Sequence, residues 1–525
     1  MGLRRARRAR ALVDAVTRLE VWPHWLHRQL DPSSPSFVPR VDRAFPANVT
    51  GRNWTTVGNL DSSRGAVVDP AGLVTPTPGG WSLDWWIGAD DRWHLPSREA
   101  AVRQRLVDDA PVVETAMRVP GGDVLHRVFA VRDGDEEVVV VEVENATPVP
   151  VALAFAVRPY GPEGLAPVGR IGLQGTTVTV DGRVALRLSK PPNRVAGSTG
   201  SEGDVAGVVL RGEAGTSFPG DLRCDAGLAT AAFVVPLPHS ATARVVLPLV
   251  AGPGGRPPGS LPPAVTVARG WRAHVEQGVR VELPDARLAS CVAANRAFLL
   301  LLAGRGDPRV LGALDLYGHT VIAPAEAHAT AERQDEGKAV AATDAVAVFD
   351  DVGHTGLSPA LTLRLALAEL EAGDRRALDR LGWLLDAATP TWTWPEAIHP
   401  RLPGGSAGDG HDAGTAADLV RFVRNLLVRE TADGLALCTL LPDGWRGGKL
   451  EVHDAPTRVG RLSFAVRWHG DRPAVLWELV PHDGVGPVRL TAPGLDPTWS
   501  STELQGDALL GPVGAGVIGD AGTFS

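Results

Sequence analysis

The hydrophobic period of this chain changes twice, and that limits the folds open to it. Residues 111 to 160 read "PVVETAMRVPGGDVLHRVFAVRDGDEEVVVVEVENATPVPVALAFAVRPY". Four Val-rich or alternating runs are separated there by "PGGD", "DGDE" and "NATPVP". Turn signals spaced roughly every 12 residues, with β-branched runs between them, predict antiparallel strands. The pattern continues through "TTVTVDGRVALRLSK" and "LATAAFVVPLPHSATARVVLPLVAG". A strand region reaching from about residue 40 to 280 predicts a large two-sheet sandwich.

The Pro- and Gly-rich stretch "GPGGRPPGSLPP", residues 252 to 263, suits neither regular element and predicts a loop or linker. Beyond it the period becomes helical. "RLASCVAANRAFLLLLAG" predicts a helix ending at Gly304. Further helices are expected near 309–318, 324–348, 357–372, 374–388 and 412–430. The last of these sets Leu419, Phe422, Val423, Leu426 and Leu427 on one face. From about 434 the strand pattern returns in "KLEVHDAPT", "RLSFAVRW" and "AVLWELV". The expected order is therefore β–α–β: an N-terminal helical extension over 1–39, a sandwich over 40–280, a helical domain over 285–430 and a small β domain over 434–525.

Composition narrows the function. The 525 residues carry a formal net charge of −8, and nothing in them suggests a polyanion-binding surface, which argues against a nucleic-acid partner. Cys224, Cys291 and Cys438 are far apart and form no CxxC pair, so neither a disulfide framework nor a zinc site is expected. The opening "MGLRRARRARALVDAVTRLEVW" lacks the continuous apolar core of a secretory signal. Leu12, Val13, Val16 and Leu19 recur there at helical spacing, as in a surface helix packed on the body or one lying on a membrane. No uninterrupted apolar run of about 18 residues is visible, so no membrane span is expected. The expectation is a cytoplasmic protein.

Chemistry concentrates in "TWTWPEAIHPRLPGGSAGDGHDAG", residues 391 to 414. Glu396 stands among Trp392, Trp394, Pro395 and Ile398, an apolar setting of the kind that raises a carboxyl pKa and suits a general acid. Asp409 lies between glycines that permit close backbone approach. The opposing readings are equally concrete: core tryptophans with a salt-bridged loop glutamate, and a helix cap from Asp409, His411 or Asp412.

The segment "TWTWPEAIHPRLPGGSAGDGHDAGTAADLVRFVRNLLVRE" resembles the last inner-helix segment of six-hairpin glycosidases. The downstream "LPDGWRGGKLEVHDAPTRVGRLSFAVRW" resembles their β cap, and "GRNWTTVGNLDSSRGAVVDPAGLVTP" their N-terminal supersandwich. The resemblance implies an (α/α)6-type toroid, here shortened, since residues 285 to 430 hold only about half the helices that a full ring needs. It implies acid/base hydrolysis of a glucoside or oligosaccharide, with Glu396 and Asp409 as the carboxyl pair. Trp392, Trp394, His399, Arg401 and His411 would contact the sugar. No cofactor is implied, and the oligomeric state is not readable.

Where a Trp-x-Arg-Asp segment would be expected after Leu302, the chain reads "GRGDPRVLGALDLYGHT". This departure favours the alternative of a non-catalytic relative that binds a carbohydrate or a partner protein. A further alternative, a glycoside phosphorylase, would use Arg401, Ser406 and the helix start near Ala413 for phosphate. Other motifs carry less. "GAGVIG" at 514–519 has no following helix and cannot seat a dinucleotide. "ERQDEG" at 332–337 reads as a solvated helix end that could hold a second carboxylate. His319 and His354 lack metal-ligand spacing. Trp54, Trp81, Trp85, Trp86 and Trp93 suit either a core or a sugar platform.

Overall fold

The computed structural model describes residues 22–31, 33–34, 53–76, 80–218, 220–250, 256–319, 342–343, 346–351, 354–400 and 404–513. These are sheet-rich, with several antiparallel sheets and eight α-helices. The helices are α1 (His24–Leu30), α2 (Val205–Leu210), α3 (Ala264–Glu276), α4 (Ala286–Leu302), α5 (Pro308–Asp315), α6 (Pro359–Glu371), α7 (Arg376–Ala387) and α8 (Ala413–Leu427). Contacts divide the chain into two compact units. One comprises 1–270, 350–356 and 389–412; the other comprises 271–349, 357–388 and 413–525.

The first unit is built on two large sheets. In one, the strand Val151–Arg158 lies between Ser82–Gly88 and Thr230–Leu237, in a register that sets Phe155 opposite both Trp85 and Phe233. Its alternate positions Ala154 and Ala156 are small. On that face Trp86, Ala196, Ala232 and the buried side of α2 form one apolar cluster. In the other sheet, of nine strands, "EEVVVVEVEN" (Glu136–Asn145) sits between Gly122–Asp133 and Thr242–Val250. It is buried at nearly every position, which explains why its valines run continuously instead of alternating. The sheets meet where Trp85 stacks on His126, with ring centroids 4.7 Å apart. A buried ion pair joins Arg158 to Asp204, the N-cap of α2, at 2.5 Å, and the guanidinium also lies over the rings of Trp22, Trp86 and Tyr160.

In the second unit α8 is the central helix. It packs on α4, α5 and α6, and α6 packs on α7. The face expected from the sequence is fully inside: Leu419, Phe422, Val423, Leu426 and Leu427 are at most 1% exposed. The Arg309 guanidinium lies against Gly414, 2.7 Å from where a Cβ would stand. A five-stranded antiparallel sheet follows from Leu450 onward and recruits Arg280–Glu282 as its edge. A four-stranded sheet contains one parallel pairing, Gly434–Leu437 with Arg489–Ala492.

Two expectations change. Strands Ala342–Thr343 and Val346–Asp351 stand where the helix 324–348 was expected; residues 320–341 lie outside the described ones. The strand-rich region also contains α3. Its β-branched start, Val265–Thr266–Val267, hid the helical spacing of the buried Ala264, Ala268, Trp271 and Val275. Ala286–Arg305 is long and apolar enough by length and composition to cross a membrane, and 72% of its apolar window is buried within the structure. Small Ala and Cys residues make it apolar without forming an unbroken run. The N-terminal face at Leu12 to Leu19 lies outside the described residues. A closed ring of helical hairpins is not seen among the described residues.

Candidate functional site

Residues 389 to 412 belong to the first unit and lie against its strand Thr55–Gly58. The segment is fixed by hydroxyl groups. Thr389 Oγ1 lies 2.9 Å from Thr391 Oγ1 and 2.8 Å from Thr393 Oγ1, closing a tight turn that puts Trp392 at φ 59°. Thr391 Oγ1 is 2.6 Å from Thr55 Oγ1, and Thr393 Oγ1 donates to the Trp54 carbonyl at 3.4 Å. Trp54 in turn donates its backbone N–H to Gly410 O at 3.3 Å. Its indole lies directly against Gly410, where a Cβ would come within 2.2 Å of the ring. Only glycine allows this approach.

Glu396 and Asp409 are brought together. Glu396 N–H donates to the Asp409 carbonyl at 2.8 Å, and Asp409 N–H donates back to Glu396 Oε2 at 3.1 Å. The short ribbon Ala397–Ile398 with Gly405–Ala407 continues this pairing. The Glu396 carboxylate lies over Gly408, a left-handed residue (φ +69°) whose Cβ would coincide with Oε2. Asp409 Oδ1 accepts the His411 N–H at 3.1 Å in an Asx-type turn. Both carboxylate residues are exposed.

The other expected residues fall into two groups. His411 is buried, and its Nδ1 faces the amide and hydroxyl of Thr56, each at 3.2 Å. An Nδ1 that accepts an N–H carries no proton, so the ring proton sits on Nε2. Trp394 is fully buried and its carbonyl accepts the Asp412 N–H at 2.7 Å. Trp392 is half-buried and His399 is exposed. Arg401 lies outside the described residues, as do "ERQDEG" and "GAGVIG".

The apolar wall expected around Glu396 is absent. Trp394 and Pro395 are buried in the unit while Glu396 is exposed. Of the sandwich tryptophans, Trp54, Trp85 and Trp86 are buried, while Trp81 and Trp93 are half-buried. His319 receives a hydrogen bond from Arg296 at 3.2 Å, beside the cation–π pair of Arg296 and Tyr317. Among the described residues, no three His, Cys, Asp or Glu side chains gather as a metal site would require. Thr55 and Thr56, which lie outside the expected site, hold the segment through Thr391 and His411. Nothing local marks them, since their partners lie more than 330 residues away.

No protein-family model matches this chain, and no curated protein does. Among solved structures it is similar to a bacterial glucoamylase complexed with acarbose, at 8% identity and a TM-score of 0.32. The alignment covers 68% of this chain and 53% of the glucoamylase, so the chain spans about half of that enzyme's length. A likeness at this score has no bearing on the chemistry of the site.

Proposed function

We propose that this chain is a glycoside-hydrolase-like protein of carbohydrate metabolism, in which Glu396 and Asp409 supply the carboxyl pair. The supporting observation is their reciprocal pairing at an exposed ribbon end, Glu396 N–H to Asp409 O at 2.8 Å and Asp409 N–H to Glu396 Oε2 at 3.1 Å. Glycoside hydrolysis needs one carboxylic acid to protonate the leaving oxygen and one carboxylate to activate water or attack the sugar carbon. Trp392, half-buried, and His399, exposed, lie within four residues of Glu396 in the chain and would supply a stacking face and a hydrogen-bonding group. On this reading the helices of 285–430 are a shortened form of the helical domain of six-hairpin glycosidases.

One observation favours the second reading, a non-catalytic relative that binds carbohydrate. The two carboxyl-bearing residues stand on adjoining strands of one ribbon, with the Glu396 side chain turned onto its neighbour's amide. Hydrolysis of a mixed panel of α- and β-linked glucosides, followed by mass spectrometry, separates the two. The expected result is turnover by the wild type that Glu396→Gln and Asp409→Asn each lower by about 100-fold or more. A well-folded wild type without turnover across the panel would leave the binding reading.

A further inference from the structure

A cavity of about 670 Å³ opens in the second unit at the C-terminal end of α8. Arg421, Arg424 and Asn425 line it from one face of that helix, being three and four residues apart. Arg429 and Thr431 reach it from the strand Val428–Thr431, which follows directly. The acidic lining residues are Glu371 and Glu430.

The three arginines are not equivalent. Arg424 is 2% exposed and donates to three backbone carbonyls, of Leu316 at 3.4 Å, of Pro456 at 2.7 Å and of Val428. Its donors are therefore spent on three elements: the residue that ends α5, the strand Leu450–Thr457 and the residue that follows α8. Arg421 makes no hydrogen bond or ion pair among the described residues. Its guanidinium lies beside Gly312, where even a Cβ would come within 3.5 Å of Nη2. Arg429 is half-buried, and its Nε–H is enclosed without an acceptor among the described residues. Glu430 is already engaged by Arg458, through an ion pair at 3.7 Å and the Arg458 N–H at 3.0 Å.

An enclosed guanidinium N–H without an acceptor is costly unless something arrives to accept it. Two guanidinium forks, an amide and a hydroxyl converging on one space match the several oxygens of a tetrahedral oxyanion. The space also exceeds the size of the anion alone, and Glu371 stands at its edge as an acceptor for hydroxyl groups. We propose that this cavity binds a phosphoryl group, either on a small polyhydroxylated ester or as free phosphate. Arg421 and Arg429 clamp the anion, and Arg424 adds fixed positive charge from behind. The inference is independent of the hydrolytic reading.

Calorimetric titration of the full chain at constant ionic strength tests it, with inorganic phosphate, glucose 6-phosphate and glucose as probes. Saturable binding of a phosphate-bearing probe is expected, with none of glucose. Arg421→Gln and Arg429→Gln should each weaken it by about tenfold or more, and Arg421→Lys, which keeps the charge but loses the fork, by less. Arg421 has no bonds to lose, so its variants should keep the wild-type melting temperature and serve as folded controls. Tighter binding of glucose 6-phosphate than of phosphate supports the proposal and assigns an ester; equal binding supports it and assigns free phosphate. The proposal is overturned if neither phosphate probe saturates the wild type, or if binding survives the Arg421→Gln/Arg429→Gln double substitution.

Discussion

The segment 389–412 and the cavity at the end of α8 are both polar, yet they are polar in opposite ways. In the first, side chains answer one another. Thr389, Thr391, Thr393 and Thr55 form a chain of hydroxyl contacts, His411 rests on Thr56, and the Glu396 carboxylate accepts the Asp409 amide. In the second, Arg421 and the Nε–H of Arg429 lack acceptors among the described residues. Saturated groups hold a loop in shape, whereas unmatched ones wait for a ligand. The density of polar residues in a sequence does not separate the two cases.

Trp394→Ala is the substitution most able to break this contrast. Removing a fully buried indole from the anchored segment should cost about 3–5 kcal/mol, seen as a lower urea midpoint at unchanged slope. A loss under about 1 kcal/mol would mean that the segment is not anchored by its core. Neutral Gln in place of Arg421 should leave stability within about 0.5 kcal/mol, since no bond is lost there.

Acid should probe the first unit next. Burial pulls the His126 imidazole down to about 3, and burial lifts the Asp84 carboxyl to about 6 against the pull of Arg158. For His126 the unfolded chain binds more protons between about pH 3 and 6.5, so stability rises with pH across that window. For Asp84 the folded chain binds more between 3.8 and about 6, so its contribution falls as pH rises. From pH 6.5 to 4 the histidine costs about 3 kcal/mol and the aspartic acid returns about 2, so stability should drop by about 1 kcal/mol or less. Denaturant unfolding at several pH values should show His126→Asn reversing that slope and Asp84→Asn steepening it.

The smallest effect should come from the hydroxyl chain. Thr55→Val and Thr391→Val should each cost about 1 kcal/mol by leaving a buried hydroxyl short of a partner. The double variant should cost less than the sum, because no orphan remains between the two positions. Strict additivity in that cycle would show that the 2.6 Å contact does not couple the segment to the strand.

Much of this could be read from the residues. The buried face of α8, the helices Pro359–Glu371 and Arg376–Ala387, and the Val-rich strands all follow from apolar spacing. α3 was missed because β-branched residues at its start imitate a strand. At the candidate site the pairing of Glu396 with Asp409 is what the resemblance implies. Their exposure is not, since it depends on which neighbours turn inward.

The sequence by itself determined the order of strand and helix regions, because hydrophobic period is a local property of the chain. Tertiary structure alone decided that 389–412 belongs with a strand more than 330 residues earlier. It also decided that Arg280–Glu282 edges the C-terminal sheet, and that Arg424 is used by backbone carbonyls while Arg421 is left over. Each is a pairing between residues far apart in the chain. Such pairing depends on which groups packing leaves within bonding distance, and no local pattern encodes that.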